Sequence, residues 1–127
     1  AHCSLPATIE HVGRLLEGGW PAIMQHNHDL AIRGRNILCE ALGLTPPCPD
    51  EMVACIATLV LPLDDDDDVV VHERDPLHVT LKEKYGIQVP VWSWPSPRGR
   101  YFRISAQLYN SEKEYRYLAW ALQQELA

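Results

Sequence analysis

The sequence predicts an α+β fold, a two-layer sandwich in which a small, mainly antiparallel sheet carries its helices on one face. Three observations support this prediction: helical spacing of apolar residues through most of residues 4–42, alternation of apolar and polar residues from Arg100 to Leu108, and renewed helical spacing after Ser111. A chain of 127 residues can bury one core, so a single domain spanning residues 1–127 is expected.

Two helices are predicted at the start of the chain. An apolar stripe at helical spacing covers residues 4–17 and is broken by Gly18–Gly19. A longer helix starts at Trp20, and the proline that follows suits a first turn because its missing N–H needs no partner there. Gly43 should end this helix, since glycine readily adopts the left-handed conformation found after helix C-termini.

The middle of the chain combines an apolar run with an acidic run. Residues 52–61 are almost continuously apolar and rich in β-branched side chains, which predicts a strand buried on both faces. The five aspartates at 64–68 repel one another and predict a solvated loop, and residues 69–71 predict a short strand or a loop edge. Asp75–Pro76 can start a helix that Gly86 would close.

The last third of the chain predicts a hairpin and a final helix. The segment Ile87–Val91 alternates like a strand, and the proline within it, lacking an N–H, places that strand at a sheet edge. Turn residues at 95–99 lead into the returning strand Arg100–Leu108. The sequence Ser111-x-x-Glu114 forms a capping box before the last helix. The predicted order is therefore α-α-β-(β)-α-β-β-α.

The composition disfavours several classes of function. The formal charge is −6 and the basic residues are scattered, whereas nucleic-acid binding normally needs a basic stripe. The longest apolar stretch is too short to span a membrane. The sequence begins without a signal peptide pattern. Cys39 falls in a predicted helix and Cys55 in an apolar strand, and no cysteines show metal-site spacing, so reduced thiols and a cytoplasmic location are expected.

Histidines and aspartates offer possible metal sites, but each has a simpler interpretation. Adjacent helical residues such as His26–His28 point about 100° apart and cannot converge on one ion, so we expect them to be exposed. His72 and His78 are also expected on the surface. The aspartates at 64–68 lack the spacing and the glycine of a calcium loop, which favours a mobile acidic loop. No metal site is therefore predicted.

Arg103 is the candidate site residue. It lies on a strand whose alternate positions are apolar, beside Ser105 and Gln107 on the polar face. A guanidinium can bind a carboxylate through two parallel hydrogen bonds. The alternative is an ordinary surface salt bridge. Trp92 and Trp94 share a strand face and could line a pocket or pack against a neighbouring domain.

The segment from Arg103 to Ser111 resembles the R-x-S-x-x-x-Y-N-[ST] signature near the end of class V aminotransferases, a family that includes cysteine desulfurases, kynureninases and isopenicillin N epimerases. Upstream, Leu-Leu-Glu-Gly-Gly-Trp-Pro at 15–21, Leu-Cys-Glu-Ala-Leu-Gly at 38–43 and Pro-Cys-Pro-Asp-Glu-Met at 47–52 are similar to the epimerase branch. The resemblance covers nearly all of the chain except the aspartates.

This resemblance implies the C-terminal small domain of a fold-type-I pyridoxal-phosphate enzyme acting on an amino acid. In such an enzyme Arg103 would bind the substrate α-carboxylate. The cofactor would sit in a large domain of the same polypeptide and none would be bound by this chain, since Lys82, Lys84 and Lys113 match no cofactor-lysine motif. The chain alone would be inactive, and the whole enzyme would be a homodimer catalysing racemisation, transamination or elimination.

One branch of the family is disfavoured by a missing residue. Cysteine desulfurases carry a nucleophilic cysteine just before the signature strand, and residues 89–99 contain none. Sulfur transfer through such a residue is therefore not expected. Two alternatives remain, a stand-alone binding or interaction module and, ranked last, a metal-dependent hydrolase. The apolar side of the first helix is expected to be exposed and to drive self-association.

Overall fold

The computed structural model describes residues 4–63, 75–95 and 98–126. Within these residues the chain forms four α-helices, one short 3₁₀ turn and three strands. Their order is α1 (Leu5–Gly13), α2 (Gly19–Leu42), the 3₁₀ turn (Asp50–Met52), β1 (Ile56–Leu61), α3 (Pro76–Tyr85), β2 (Val91–Pro95), β3 (Arg98–Ser105) and α4 (Glu112–Glu125). The aspartates at 64–68, residues 69–71, His72 and residues 96–97 of the predicted turn lie outside the described residues.

The three strands form one antiparallel sheet in the order β1-β3-β2. The central strand places Phe102 opposite Leu59 on one side and opposite Val91 on the other. Phe102 and Ile104 are buried beneath the helices, as the alternation along this strand predicts. The α+β class and the antiparallel sheet are thus confirmed.

The strand β2 is an edge strand, as predicted, but it begins later than the sequence indicates. It starts at Val91, and Pro90 precedes it rather than interrupting it. The Pro90 carbonyl still accepts a hydrogen bond from the Arg103 backbone N–H, at 3.2 Å. The missing N–H of Pro90 explains why regular pairing starts one residue further on.

Glycine ends two helices where the sequence predicts it. Gly43 closes α2 with φ 65° and donates its N–H to the Cys39 carbonyl, and Gly86 closes α3 with φ 68°. Asp75 caps the start of α3 by accepting a hydrogen bond from the Leu77 N–H at 2.8 Å. Local side-chain and backbone chemistry therefore fixes both ends of α3.

The first helix is shorter than the predicted 4–17 segment and ends at Gly13. The reason is a tertiary contact: the Trp20 indole N–H donates to the Ile9 carbonyl at 3.1 Å. A Cβ at Gly13 would lie 2.9 Å from that indole nitrogen, so the glycine makes room for the ring. The chain turns back here because Trp20 closes over the end of α1.

The prediction of a strand buried on both faces is wrong for residues 52–61. Regular pairing covers only Ile56–Leu61, and one face alone is buried. On the other face Ile56 is 45% exposed and Val60 is 40% exposed. No helix or strand of the described residues covers this face, although its apolar composition suits burial.

The predicted capping box at the start of α4 does not form. The Ser111 side chain makes no capping hydrogen bond. The Asn110 side chain makes two other bonds at this turn: its Oδ1 accepts from the Gln107 N–H at 3.0 Å, and its Nδ2 donates to the Glu114 Oε2 at 2.8 Å. The Glu114 side chain is therefore bound by Asn110, while the Glu114 backbone N–H donates to the Ser111 carbonyl at 3.1 Å.

Gly34 lies in the middle of α2 where that helix crosses α4. A Cβ at this position would lie 2.9 Å from Cγ and Cδ2 of Tyr115 and 3.1 Å from Cδ1 of Ile104. The Tyr115 hydroxyl donates to the Ser105 carbonyl at 2.8 Å, which limits how far its ring can move. Close packing of α2 on α4 thus depends on the missing side chain.

Replacing Gly34 with alanine should destabilise the domain by about 2 kcal/mol, because overpacking outweighs a gain of about 1 kcal/mol in helix propensity. Urea-induced unfolding would measure the change. In a Tyr115→Ala background, which removes Cγ and Cδ2 of the tyrosine, the same substitution should cost much less. An equal loss in both backgrounds would contradict the steric explanation.

Candidate functional site

The sheet face opposite the helices, called here the open face, carries the predicted site residue. Arg103 lies on it between Tyr101 and Ser105, directly opposite Thr58 of β1. Tyr101 stacks on Trp92 of β2, with ring centroids 5.9 Å apart and planes inclined by 23°. The open face therefore combines a cation with a half-buried aromatic pair, and Ser105 and Thr58 flank the cation with hydroxyls.

Among the arginine side chains that the structure describes, Arg103 alone has no hydrogen-bond or ion-pair partner. The contrast with Arg100, three residues earlier on the same strand, is informative. Arg100 points to the helix side and holds Asp75 with two nitrogens, Nε to Oδ2 at 2.8 Å and a terminal nitrogen to Oδ1 at 2.5 Å. Arg35 is buried and binds Asp50 and the Cys48 carbonyl. The exposed Arg103 guanidinium is thus available for a carboxylate from outside this part of the chain.

Arg103 also lines a cleft of about 430 Å³. Residues 86–90 line one part of the cleft, and Tyr109 and Asn110, which follow β3, line another together with the start of α4, including Glu114. Tyr109 is 83% exposed. Tyr109 belongs to the signature segment, but nothing in the sequence alone shows that its ring lies beside the cleft.

The end of β3 is held in place by a buried tyrosine from α4. The Tyr115 hydroxyl donates to the carbonyl of Ser105, next to the cleft. Burial raises the pKa of Tyr115 to about 12, and the neighbouring Glu114 and Tyr109 add to the shift. Tyr115 therefore stays neutral and keeps its hydrogen bond at any physiological pH.

The raised pKa of Tyr115 predicts a loss of stability in alkaline solution. The unfolded chain ionises this phenol near pH 10 and the folded chain near pH 12, so the contribution is full below pH 10 and declines as the pH rises towards 12. The folded-to-unfolded ratio should fall by up to about tenfold per pH unit in that window. Urea unfolding of wild type and Tyr115→Phe across this range tests it, and equal slopes for the two proteins would contradict it.

The histidine-rich turn of α2 is less exposed than the sequence suggests. His26 is exposed, as predicted. Asn27 is buried, and its Nδ2 donates to Gln107 Oε1 at 2.9 Å because this side of α2 faces the turn after β3. His28 is half-buried with Nδ1 2.8 Å from the Val53 carbonyl. The prediction of exposure is therefore wrong for Asn27 and His28.

The surface prediction for His78 also needs correction, since this side chain is half-buried. Its Nδ1 lies 2.6 Å from the Val89 carbonyl, which ties α3 to the segment before β2. Across residues 4–63, 75–95 and 98–126, no three histidine, cysteine or acidic side chains cluster closely enough to hold a metal ion. Within the same residues, no helix is long and apolar enough to cross a membrane.

The described thiols lie away from the cleft. Cys39, Cys48 and Cys55 are free, and none of them lines the cleft that contains Arg103. Burial raises the pKa of the Cys39 thiol, and the nearby Arg35 opposes this shift only in part. Cys39 is therefore a buried apolar side chain rather than a nucleophile.

Comparison with known proteins gives relatives of one named activity. The chain is 30% identical over 132 residues to a probable L-cysteine desulfhydrase, chloroplastic, from Arabidopsis thaliana, and 30% identical over 135 residues to an L-cysteine desulfhydrase of the same plant. It is 27% identical over 146 residues to putative L-cysteine desulfhydrase 1 of Oryza sativa subsp. japonica. No family model matches the chain.

These alignments cover nearly the whole chain but only part of each relative. They include 96%, 93% and 100% of this chain and 26%, 28% and 29% of the respective relatives. The chain thus spans little more than a quarter of the length of the desulfhydrases that it matches. None of these three carries the name of an epimerase, so the epimerase-like branch stays a prediction.

Proposed function

We propose that this chain is the C-terminal small domain of a pyridoxal-phosphate-dependent enzyme that eliminates sulfide from L-cysteine, with Arg103 binding the substrate α-carboxylate. The observation that carries the proposal is the unpaired Arg103 guanidinium on the open face. The names of the relatives supply the substrate and the reaction. The small share of each relative that the chain spans supports a domain of a longer polypeptide.

The described residues suit a substrate carboxylate better than the cofactor itself. The lysines lie on helices rather than on the open face, Lys82 and Lys84 on α3 and Lys113 on α4. Lys84 is paired with Glu125 at 2.8 Å. The proposal assigns the cofactor to a large domain of the same polypeptide, which would cover the open face and bury the exposed Ile56 and Val60.

In the elimination, L-cysteine loses a proton from Cα and its thiol from Cβ, and hydrolysis then gives pyruvate, ammonia and hydrogen sulfide. Bound pyridoxal phosphate supplies the electron sink for the charge formed at Cα. Arg103 holds the carboxylate by two hydrogen bonds and so fixes the rotation of the Cα substituents. The absence of a cysteine between residues 89 and 99 fits this reaction, because the sulfur leaves as sulfide and needs no acceptor thiol.

The decisive experiment uses the longer polypeptide that contains this chain. Cofactor absorbance is recorded with a panel of amino acids, while sulfide and pyruvate are measured in the same samples. Equal release of sulfide and pyruvate from L-cysteine is the expected result. Interconversion of enantiomers without sulfide release would favour the epimerase-like branch, and absence of cofactor absorbance would reject the proposal.

Two further expectations stay predictions. The homodimer of the whole enzyme rests on the family resemblance, and the exposed apolar side of α1, where Leu5 is 57% and Ile9 49% exposed, bears only on self-association of this chain. The cytoplasmic location rests on the cysteine pattern, and one relative is named as chloroplastic. Sedimentation of the longer polypeptide would test the homodimer, and cell fractionation would test the location.

A further inference from the structure

Tyr109 combines high exposure with a position at the mouth of the Arg103 cleft. A single exposed apolar side chain is common on protein surfaces and by itself indicates nothing. Two other tyrosines that line the cleft are already engaged: Tyr115 is buried against α2, and Tyr117 stacks on Trp120 with ring centroids 5.6 Å apart. Tyr109 is 83% exposed, so its ring packs against little of the described chain.

The turn that carries Tyr109 is fixed on both sides. The Gln107 N–H donates to Asn110 Oδ1 at 3.0 Å, and the Asn110 N–H donates to the Gln107 carbonyl at 2.9 Å. Asn110 also binds Glu114 in the first turn of α4. The backbone at Tyr109 is therefore ordered before any ligand arrives, and only rotation about its side-chain bonds remains free.

An exposed guanidinium is a weak carboxylate site while water has access to it. Ion pairs at a protein surface contribute little to binding, because solvent screens them and hydrates both partners. The same pair becomes much stronger where water is excluded and the local dielectric constant is lower. Arg103 is exposed in this chain, so a useful carboxylate site needs a cover.

We infer that Tyr109 provides part of that cover: its ring closes over the carboxylate held by Arg103 and shields the ion pair from water. The inference rests on the proposed function, because it takes the substrate carboxylate as the ligand of Arg103. Tyr109 then acts through its ring and not through its hydroxyl. It selects for ligands with a carboxylate, since a ligand without one leaves the ring nothing to shield.

The test compares two substrate analogues, one that keeps the carboxylate and one that lacks it. In the cofactor-loaded longer polypeptide, calorimetry measures the dissociation constants of 3-mercaptopropionate, which lacks the amino group, and of cysteamine, which lacks the carboxylate. Tyr109→Ala should weaken binding of 3-mercaptopropionate about tenfold, as expected when an ion pair regains contact with water. Binding of cysteamine should change less than about twofold, and Tyr109→Phe should resemble wild type for both ligands.

Met24, which is 67% exposed on α2 and does not line the cleft, offers a matched control. Met24→Ala should leave both dissociation constants unchanged. The inference is overturned if Tyr109→Ala binds 3-mercaptopropionate like wild type, if Tyr109→Phe is as weak as Tyr109→Ala, or if both ligands weaken together. Arg103→Gln separates a failure of the proposed function from a failure of this inference alone. If Arg103→Gln leaves 3-mercaptopropionate binding unchanged, the proposed carboxylate site itself is wrong. If it weakens that binding while Tyr109→Ala does not, only the role of Tyr109 is rejected.

Discussion

Replacing Arg103 with glutamine in the longer polypeptide should raise the KM for L-cysteine by about 100-fold and leave the cofactor absorbance intact. Removing one member of a desolvated ion pair costs about 2–5 kcal/mol, and each 1.4 kcal/mol corresponds to tenfold in affinity. The cofactor spectrum should not change, since the guanidinium contacts the substrate rather than the cofactor. Steady-state kinetics together with absorbance spectra measure both effects.

Two further variants show whether the rise in KM depends specifically on the Arg103 guanidinium. Arg103→Lys keeps the charge but loses the planar fork, so its KM should lie between those of wild type and Arg103→Gln. Arg116 is also exposed and is 3.5 Å from Glu112 on α4, away from the cleft. Arg116→Gln should therefore leave KM unchanged. An unchanged KM in Arg103→Gln would remove Arg103 from the substrate site.

The features that the sequence predicts correctly are those that depend on neighbouring residues. Alternation from Tyr101 to Ser105 assigns each side chain to a face, because successive residues of a strand point in opposite directions. Gly43 and Gly86 end their helices because they adopt a conformation that other residues avoid. The open-face position of Arg103 belongs to the same class of local inference.

The features that the sequence does not predict depend on distant contacts. The end of α1 at Gly13 follows from the Trp20 ring, and the burial of Asn27 follows from Gln107, 80 residues away. The wrong prediction that both faces of β1 are buried has a different cause. The apolar composition of the exposed face suits a covering layer, and none lies within the residues that the structure describes, so composition alone overestimates its burial.

The same limit applies to the candidate site. The sequence places Arg103 on a polar face but cannot show whether another side chain of the chain pairs with it. Arg100 belongs to the opposite face by the same alternation, and its partner Asp75 lies 25 residues earlier. Only the folded structure separates the arginine that stabilises the domain from the arginine that is free for a ligand.

The Arg100–Asp75 pair should matter more for stability than any exposed ion pair of the domain. The Asp75 side chain is only 7% exposed, and it both caps α3 and receives two nitrogens of Arg100. Replacing Arg100 with methionine removes two charge-assisted hydrogen bonds from a largely buried carboxylate. We expect the free energy of unfolding to fall by about 3 kcal/mol. Breaking a buried ion pair costs about 3–5 kcal/mol, and the lower value is expected here because the Arg100 side chain is 22% exposed.

A second substitution shows whether the lost charge partner is the cause. Asp75→Ser keeps an oxygen that can cap α3 and removes the buried charge. The double variant Arg100→Met/Asp75→Ser should therefore be more stable than Arg100→Met alone in urea unfolding. Arg116→Met, which breaks an exposed pair with Glu112, should cost less than about 1 kcal/mol. If Arg100→Met were no more damaging than Arg116→Met, the pair would not hold α3 against β3, and the position of α3 would depend on apolar packing alone.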